Sequence, residues 1–290
     1  MYKSISNDCV DGLIKINKHY SRRLDRMENN QRHGEYSAFV QLSDKMITEI
    51  KSAVKFKIPS ADQILLPEIN IMNEASKFMN EINLPFPLIA IELEAKLLHE
   101  EQLGDCVIVA EDKGDVITAY RLFRATGGQW TFIQGDDGVL LPYLSLDKKD
   151  FTAHIHGCEF KGMDEQEAQS IRAWERVITL RTIMNLLCVL SCTNAHIEDY
   201  PKPSKLKQDM RKKKGKLPFF EFKILTIESD KSQQNSSSGK GSHASPRVHL
   251  RRGHIRKLPT KNVWVNACVV GDKAKGVIQK DYLVKGGLSD

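Results

Sequence analysis

At Leu84-Pro-Phe-Pro87 the spacing of apolar residues changes from three-and-four to two, and this switch limits what the chain can fold into. Before it, Phe39, Leu42, Met46, Ile50 and Val54 follow the i, i+3, i+4 rule of a helix buried along one face. Ile71, Met72, Ala75, Phe78, Met79 and Ile82 repeat the pattern, with Pro59 and Pro67 separating the two segments. Leu13 to Met27 reads as another helix, with Lys15, Lys18, Arg22, Arg23 and Arg26 as a small basic stripe. Residues 1–82 are therefore expected to be a helical region. After the switch come short apolar runs, Leu88–Glu94, Cys106–Ala110, Asp115–Phe123 and Gln129–Ile133, with Gly127-Gly128 and Asp136-Asp-Gly138 as turn signals. Short strands joined by turns make an antiparallel meander ending near Phe160.

Asp164-Glu-Gln-Glu167 puts a cap and acidic residues where a helix begins. The helix is expected over 165–194, burying Ile171, Trp174, Ile178, Met184, Leu187 and Val189. Lying across the meander it closes a core, so residues 84–200 form a sheet-plus-helix unit. Past Tyr200-Pro-Lys-Pro203 the character shifts. Lys205–Lys216 is a basic loop or helix end and Leu217–Ile227 a strand. Residues 228–246 have the Ser/Gly composition of a flexible loop. Three strands, Val248–Arg256, Asn262–Val270 and Gly276–Val284, close the chain, with 271–276 as a turn. The fold class is α+β: N-terminal helices, a central antiparallel sheet with one long covering helix, and a basic C-terminal β-module over 201–290.

Charge points to the kind of partner. Residues 201–290 hold 21 Lys and Arg against 7 Asp and Glu, a net +14. The whole chain is +6, so residues 1–200 sum to −8. A cationic face segregated from an acidic body concentrates its field on a polyanion. Lysine and arginine contacts to phosphates release counterions and give salt-sensitive affinity for nucleic acid. The candidate nucleic-acid-binding residues are Arg211, Lys212, Lys213, Lys214, Lys216, Arg247, Arg251, Arg252, His254, Arg256 and Lys257. Gly253 lets a backbone approach a phosphate closely. Alternation puts basic groups on both faces of 247–257, and the plainer reading is a solvated basic surface.

Two further readings use the same segment. His249 and His254 among arginines are candidate catalytic groups of a metal-independent endoribonuclease, which needs a base near neutral pKa and cations for the transition state. Asp281 or Glu221 would orient the imidazole; the plainer role is hydrogen bonding. Alternatively, the basic face docks an acidic patch of a host protein complex, or the acidic middle docks a basic partner. That middle comprises Glu92, Glu94, Glu100, Glu101, Asp105, Glu111, Asp112 and Asp115, read as solvated loop charges rather than Mg²⁺ ligands.

Cys188, Cys192 and His196 recur at helical spacing, and His154 and His156 share one side of a strand near Asp150 and Glu159. Core packing and surface roles are preferred to metal binding for both sets. The six cysteines contain no Cys-x-x-Cys and read as buried hydrophobes. Trp264, beside the basic strand, is a candidate stacking platform, although core packing is preferred. Nucleotide-binding, Gly-x-Ser-x-Gly and zinc-finger signatures do not occur, and no cofactor is expected. No apolar run reaches the length of a membrane span, and no secretory leader is legible, so the expected place of action is a cytoplasm.

His249-Leu-Arg-Arg-Gly-His254, Arg256-x-Leu-Pro259, Trp264-Val265, Val269-Val-Gly271, Gly276 and Lys280-Asp-Tyr282 resemble a recurring ending of uncharacterised bacteriophage and prophage proteins. Arg211–Pro218 and Leu84-Pro-Phe86 are similar to segments that accompany that ending. Where such endings carry an aromatic after the second histidine, this chain has Ile255. The resemblance implies a viral accessory protein acting in the bacterial host cytoplasm and transfers no catalytic residue.

Overall fold

The alternation along Leu88–Lys96 decides which side chains meet which helices. Ile89, Ile91, Leu93 and Ala95 enter one core, together with Cys106, Ile108 and Ala110 of the neighbouring strand. Ala90 enters a second core on the opposite face, with Val107 and Val109. A strand buried on both faces must be central in its sheet, with helices above and below.

The computed structural model describes residues 4–26, 31–58, 71–96, 103–124, 128, 130, 134–135, 138–139, 142–157, 164–227, 247–251, 254–265, 268–270 and 272–277. In chain order the elements are α1 (Ile5–Leu24), α2 (Gln31–Ser52), β1 (Val54–Lys57), α3 (Ile71–Ser76), β2 (Leu88–Lys96), β3 (Leu103–Asp112), β4 (Val116–Arg124), β5 (Gln134–Gly135) and β6 (Gly138–Val139). They continue with β7 (Tyr143–Asp147), β8 (Ala153–His156), α4 (Glu165–Glu175), a π-helical turn (Arg176–Leu180), α5 (Arg181–Leu190), β9 (Ala195–Asp199) and α6 (Lys205–Lys213). The last are β10 (Phe222–Ile227), β11 (Arg247–Arg251), β12 (His254–Lys257), β13 (Asn262–Val265), β14 (Cys268–Val270) and β15 (Asp272–Val277).

The expected α+β architecture is present, and the meander β2-β3-β4-β7-β8 is antiparallel as anticipated. Its sheet is larger and mixed: eight strands in the order β8-β7-β4-β3-β2-β1-β10-β9, with β1 parallel to both β2 and β10. This corrects the expectation of helix throughout residues 1–82. α2 ends at Ser52, and Val54–Lys57 pairs with Ile89–Glu92. Val54-Lys-Phe56 has strand propensity and a backbone partner on each side, and pairing overrides the helical spacing. α3 likewise stops at Ser76, and the Ile82 amide is taken by the Lys148 carbonyl at 3.0 Å. β10, expected within a separate module, completes the central sheet. Val248–Arg256 forms two strands, β11 pairing with β14 and β15 and β12 with β13. The 271–276 segment expected as a turn lies largely in β15. Gln129–Ile133 falls outside the described residues except Trp130, which is buried.

The covering helix is continuous from Glu165 to Leu190 but contains the π-turn, and it ends four residues before the expected Asn194. Ile178, Leu180, Ile183, Met184 and Leu187 seal the first core. At the π-turn, Glu175 accepts from Arg121 Nε at 2.9 Å and from Thr179 Oγ1 at 2.7 Å. Both charged side chains are almost wholly buried. On the other face α1 packs against α2, and Leu13, Val10, Met46 and Ile50 form the second core. Gly12 allows close contact there, since a Cβ would stand 2.6 Å from Cδ1 of Trp130. Among the described residues no helix is long and apolar enough to cross a membrane.

Breaking a buried ion pair costs more than omitting it, because one charge stays in the core without a partner. Arg121→Met is expected to lower unfolding free energy by about 3–5 kcal/mol in urea titrations. Arg121→Met/Glu175→Leu is expected to recover most of the loss. A single substitution costing no more than a surface change contradicts this account of the π-turn.

Candidate functional surface

The basic segment starting at Lys205 is an exposed helix, α6, none of whose residues is buried. Gly215 ends it with φ +66, a conformation that suits glycine. The Gly215 amide donates to the Lys212 carbonyl at 2.9 Å, and the Lys216 amide to the Arg211 carbonyl at 3.0 Å. This double closure turns the chain back toward α1. There Arg211 Nη2 lies 2.9 Å and Lys216 Nζ 3.3 Å from the same carboxylate oxygen of Asp11. Arg211 also donates through Nε to the Leu217 carbonyl at 2.6 Å and covers the Phe219 ring at 4.7 Å. Gln208 fastens the helix further, accepting from the Phe219 amide at 2.7 Å. Leu217 and Phe220 then pack against the second core.

α6 is thereby fixed with Gln208 and Arg211 inward. Leu206 and Met210, one turn apart, are 73% and 52% exposed. Lys207, Lys213 and Lys214 are exposed around them. The sequence reading missed this apolar pair because the surrounding cations dominated the segment; Leu206 and Met210 at i, i+4 were the available signal.

Those of the expected cations whose side chains are described lie on two sides of the central sheet. Arg211 and Lys216 belong to the α1 side of the central sheet through Asp11. β12 and β13 belong to the other side, where Ile255 and Trp264 enter the core with α5. Lys257 Nζ donates there to the Lys77 carbonyl, and Asn262 Nδ2 donates to the Phe78 carbonyl at 2.8 Å. Arg256 and Lys257 are exposed. Arg252, the 228–246 loop and Asp281 lie outside the described residues, and for Arg247, His249, Arg251 and His254 the backbone alone is described. His249 and His254 stand on strands of different sheets. Trp264 is a core residue, its amide donating to Asn194 Oδ1 at 2.8 Å.

Much of the acidic middle is paired. Asp105 accepts from Arg124 at 2.5 Å, Asp112 from Lys148 at 2.7 Å, and Glu111 meets Lys113 at 2.5 Å. Glu92 departs from the solvated-loop reading: it is fully buried in β2. Cys188 and Cys192 are buried while His196 lies on β9, so the three do not share a helix face. Burial pushes the Cys192 thiol up to about 11 and that of Cys106 to about 12, which keeps both protonated. His154 and His156 are exposed side by side on β8, where His156 stacks on Tyr143 and lies 2.7 Å from Ser145 Oγ. Among the described residues no group of three or more His, Cys, Asp or Glu is placed to hold a metal ion.

A profile of the anti-CRISPR type V subtype A2 (AcrVA2-like) family matches residues 41–271. The chain belongs to that family. No curated protein and no solved structure matches it. Membership in an anti-CRISPR family agrees with the phage-type class expected from the C-terminal resemblance. The matched range takes in α6, β12 and all eight strands of the central sheet of this family member, and leaves α1 outside.

α1 is nevertheless tied to the matched part by electrostatics. Ser4 caps it, accepting from the Asn7 amide at 3.1 Å. Beneath its first turn, Glu92 accepts from the Ser6 amide. Burial pushes the Glu92 carboxyl above its ordinary value of 4.5, and the Ser6 hydrogen bond partly offsets that. Lys55 answers at the end of α2, donating to the Ala53 carbonyl at 2.7 Å and the Lys51 carbonyl at 3.1 Å. Burial pushes its ammonium down to about 8, with Glu92 opposing the shift.

A carboxyl whose pKa is higher in the folded than the unfolded state stabilises the fold below the unfolded value, and that contribution is lost as pH rises through the folded value. Relative to Glu92→Gln, the natural protein is expected to lose urea resistance as pH rises from 4.5 through the raised pKa. A stability difference between the two proteins that stays flat with pH contradicts the buried, raised carboxyl.

Proposed function

We propose that this chain is a phage-type accessory protein that inhibits a type V CRISPR defence in the bacterial host cytoplasm by binding a protein of that system. Family membership across residues 41–271 carries the reading. α6 offers a surface suited to it. Apolar residues one turn apart on an exposed helix are the anchors of helix-in-groove recognition, and burying them in a partner recovers hydrophobic free energy left unused in the free protein. Leu206 and Met210 meet that description, held outward by Gln208 and Arg211. Lys207, Lys213 and Lys214 around them suit a groove with an acidic rim, where complementary charge raises the association rate and fixes orientation.

Cells carrying a type V effector with a guide against a test phage should regain plaques when they express the chain. Leu206→Asp/Met210→Asp should abolish that rescue while leaving the far-ultraviolet circular dichroism unchanged. It should also weaken capture of the partner by roughly 30-fold or more, the scale of losing interface anchors. No rescue by the natural protein overturns the function; full rescue by the double variant overturns the docking face.

A further inference from the structure

We propose that the exposed cationic face of α1 is a binding site for the phosphate backbone of nucleic acid. Lys15, Lys18, His19, Arg22, Arg23 and Arg26 border one open depression of about 530 Å³. Their spacing of three and four residues places them on a single side of the helix, and all six are exposed. The opposite side is spent on the fold: Cys9, Val10 and Leu13 are buried, and Tyr20 packs on Phe39 with ring centroids 4.3 Å apart. These cations are therefore not solvating an otherwise idle helix.

No ion pair among the described residues involves Lys15, Lys18, Arg22, Arg23 or Arg26. Asp11, one turn before Lys15, is already engaged by Arg211 and Lys216, and Asp8 faces Arg124 at 3.4 Å. Asp25, at the far end, is the remaining α1-side carboxylate among 4–26. Like charges three and four residues apart destabilise a helix. The helix dipole favours only those in the last turn, Arg22 and Arg23. This concentration occurs within residues 1–200, the part of the chain that sums to −8.

The Asp11 clamp also sets the start of Lys212-Lys-Lys214 beside the same helix, so cations 200 residues away in sequence extend the face. Lys15 to Arg26 covers roughly 16 Å of helix axis, about five base steps at 3.4 Å. Nucleic acid fits this surface better than a membrane or a protein. An interfacial helix needs a free apolar face to insert, and that of α1 is buried. Protein interfaces rely on apolar and aromatic anchors, whereas this face presents cations and one imidazole. Bare phosphates with no base-edge reader give salt-sensitive, sequence-tolerant binding.

Fluorescence anisotropy on the full chain with a mixed-sequence RNA strand and a DNA duplex, each about 20 units long, tests this between about 50 and 200 mM salt. Five phosphate contacts predict a slope of log affinity on log salt near −3.5 for the strand or −4.5 for the duplex. Arg22→Ala/Arg23→Ala/Arg26→Ala is expected to weaken binding and flatten the slope by about 2 to 3. Leu206→Ser/Met210→Ser, which removes the apolar pair without adding charge, is expected to leave both quantities unchanged, separating this site from the α6 docking face. Absence of binding to either probe at the lowest salt overturns the proposal. So does an affinity that the α1 triple variant leaves intact, or retention by anionic lipid vesicles without binding to either nucleic acid.

Discussion

Glu92 and Lys55 are two opposite charges buried on one face of the central sheet, and the arrangement of α1 and α2 depends on them. Burying either alone is unfavourable. Each is offset by a helix end of the opposite sign: Glu92 faces the amide end of α1, and Lys55 faces the carbonyl end of α2. Because the two helices run antiparallel, those ends come to adjacent strands. β1 and β2 are neighbours in parallel register, with Lys55 opposite Ala90 and Lys57 opposite Glu92. The sheet and the helical pair thus fix each other's position as well as excluding water.

Once α1 is held at its amide end, the residues farther along it acquire defined neighbours. Asp11 meets Arg211 and Lys216, and this contact draws the chain after β9 across the same face before β10 enters the sheet between β1 and β9. Two consequences follow for function. α6 is set with its apolar pair outward, and among the described residues no ion pair involves Lys15, Lys18, Arg22, Arg23 or Arg26. Residues 254–265, by contrast, are sealed on the opposite face by Ile255 and Trp264. The described basic residues of the last third therefore stand on two sides of the central sheet.

Much of the fold was legible in local pattern. The alternation in Leu88–Glu94 and Cys106–Ala110 yielded β2 and β3, and the acidic opening at Asp164 marked the covering helix. β1 was not legible, because Val54 continues a helical spacing and only its long-range pairing with β2 makes it a strand. A buried Glu92 was equally hidden: its neighbours Leu93 and Glu94 alternate like any half-solvated strand, and the compensating Ser6 amide lies 86 residues away. Net charge pointed toward residues 201–290. It could not separate Arg211, which has a carboxylate partner, from Lys213, which is exposed beside an apolar pair. The α1 stripe was visible, whereas the engagement of Asp11 by Arg211 and Lys216 was not.

The claim on which this organisation turns is that Asp11 and Arg211 are energetically joined across the molecule. A double-mutant cycle of Asp11→Ala and Arg211→Ala, read by urea unfolding, measures that directly. The account predicts a favourable coupling of roughly 1–2 kcal/mol, within the range for partly buried charged contacts. Substitutions whose effects simply add, leaving a coupling near zero, would contradict it.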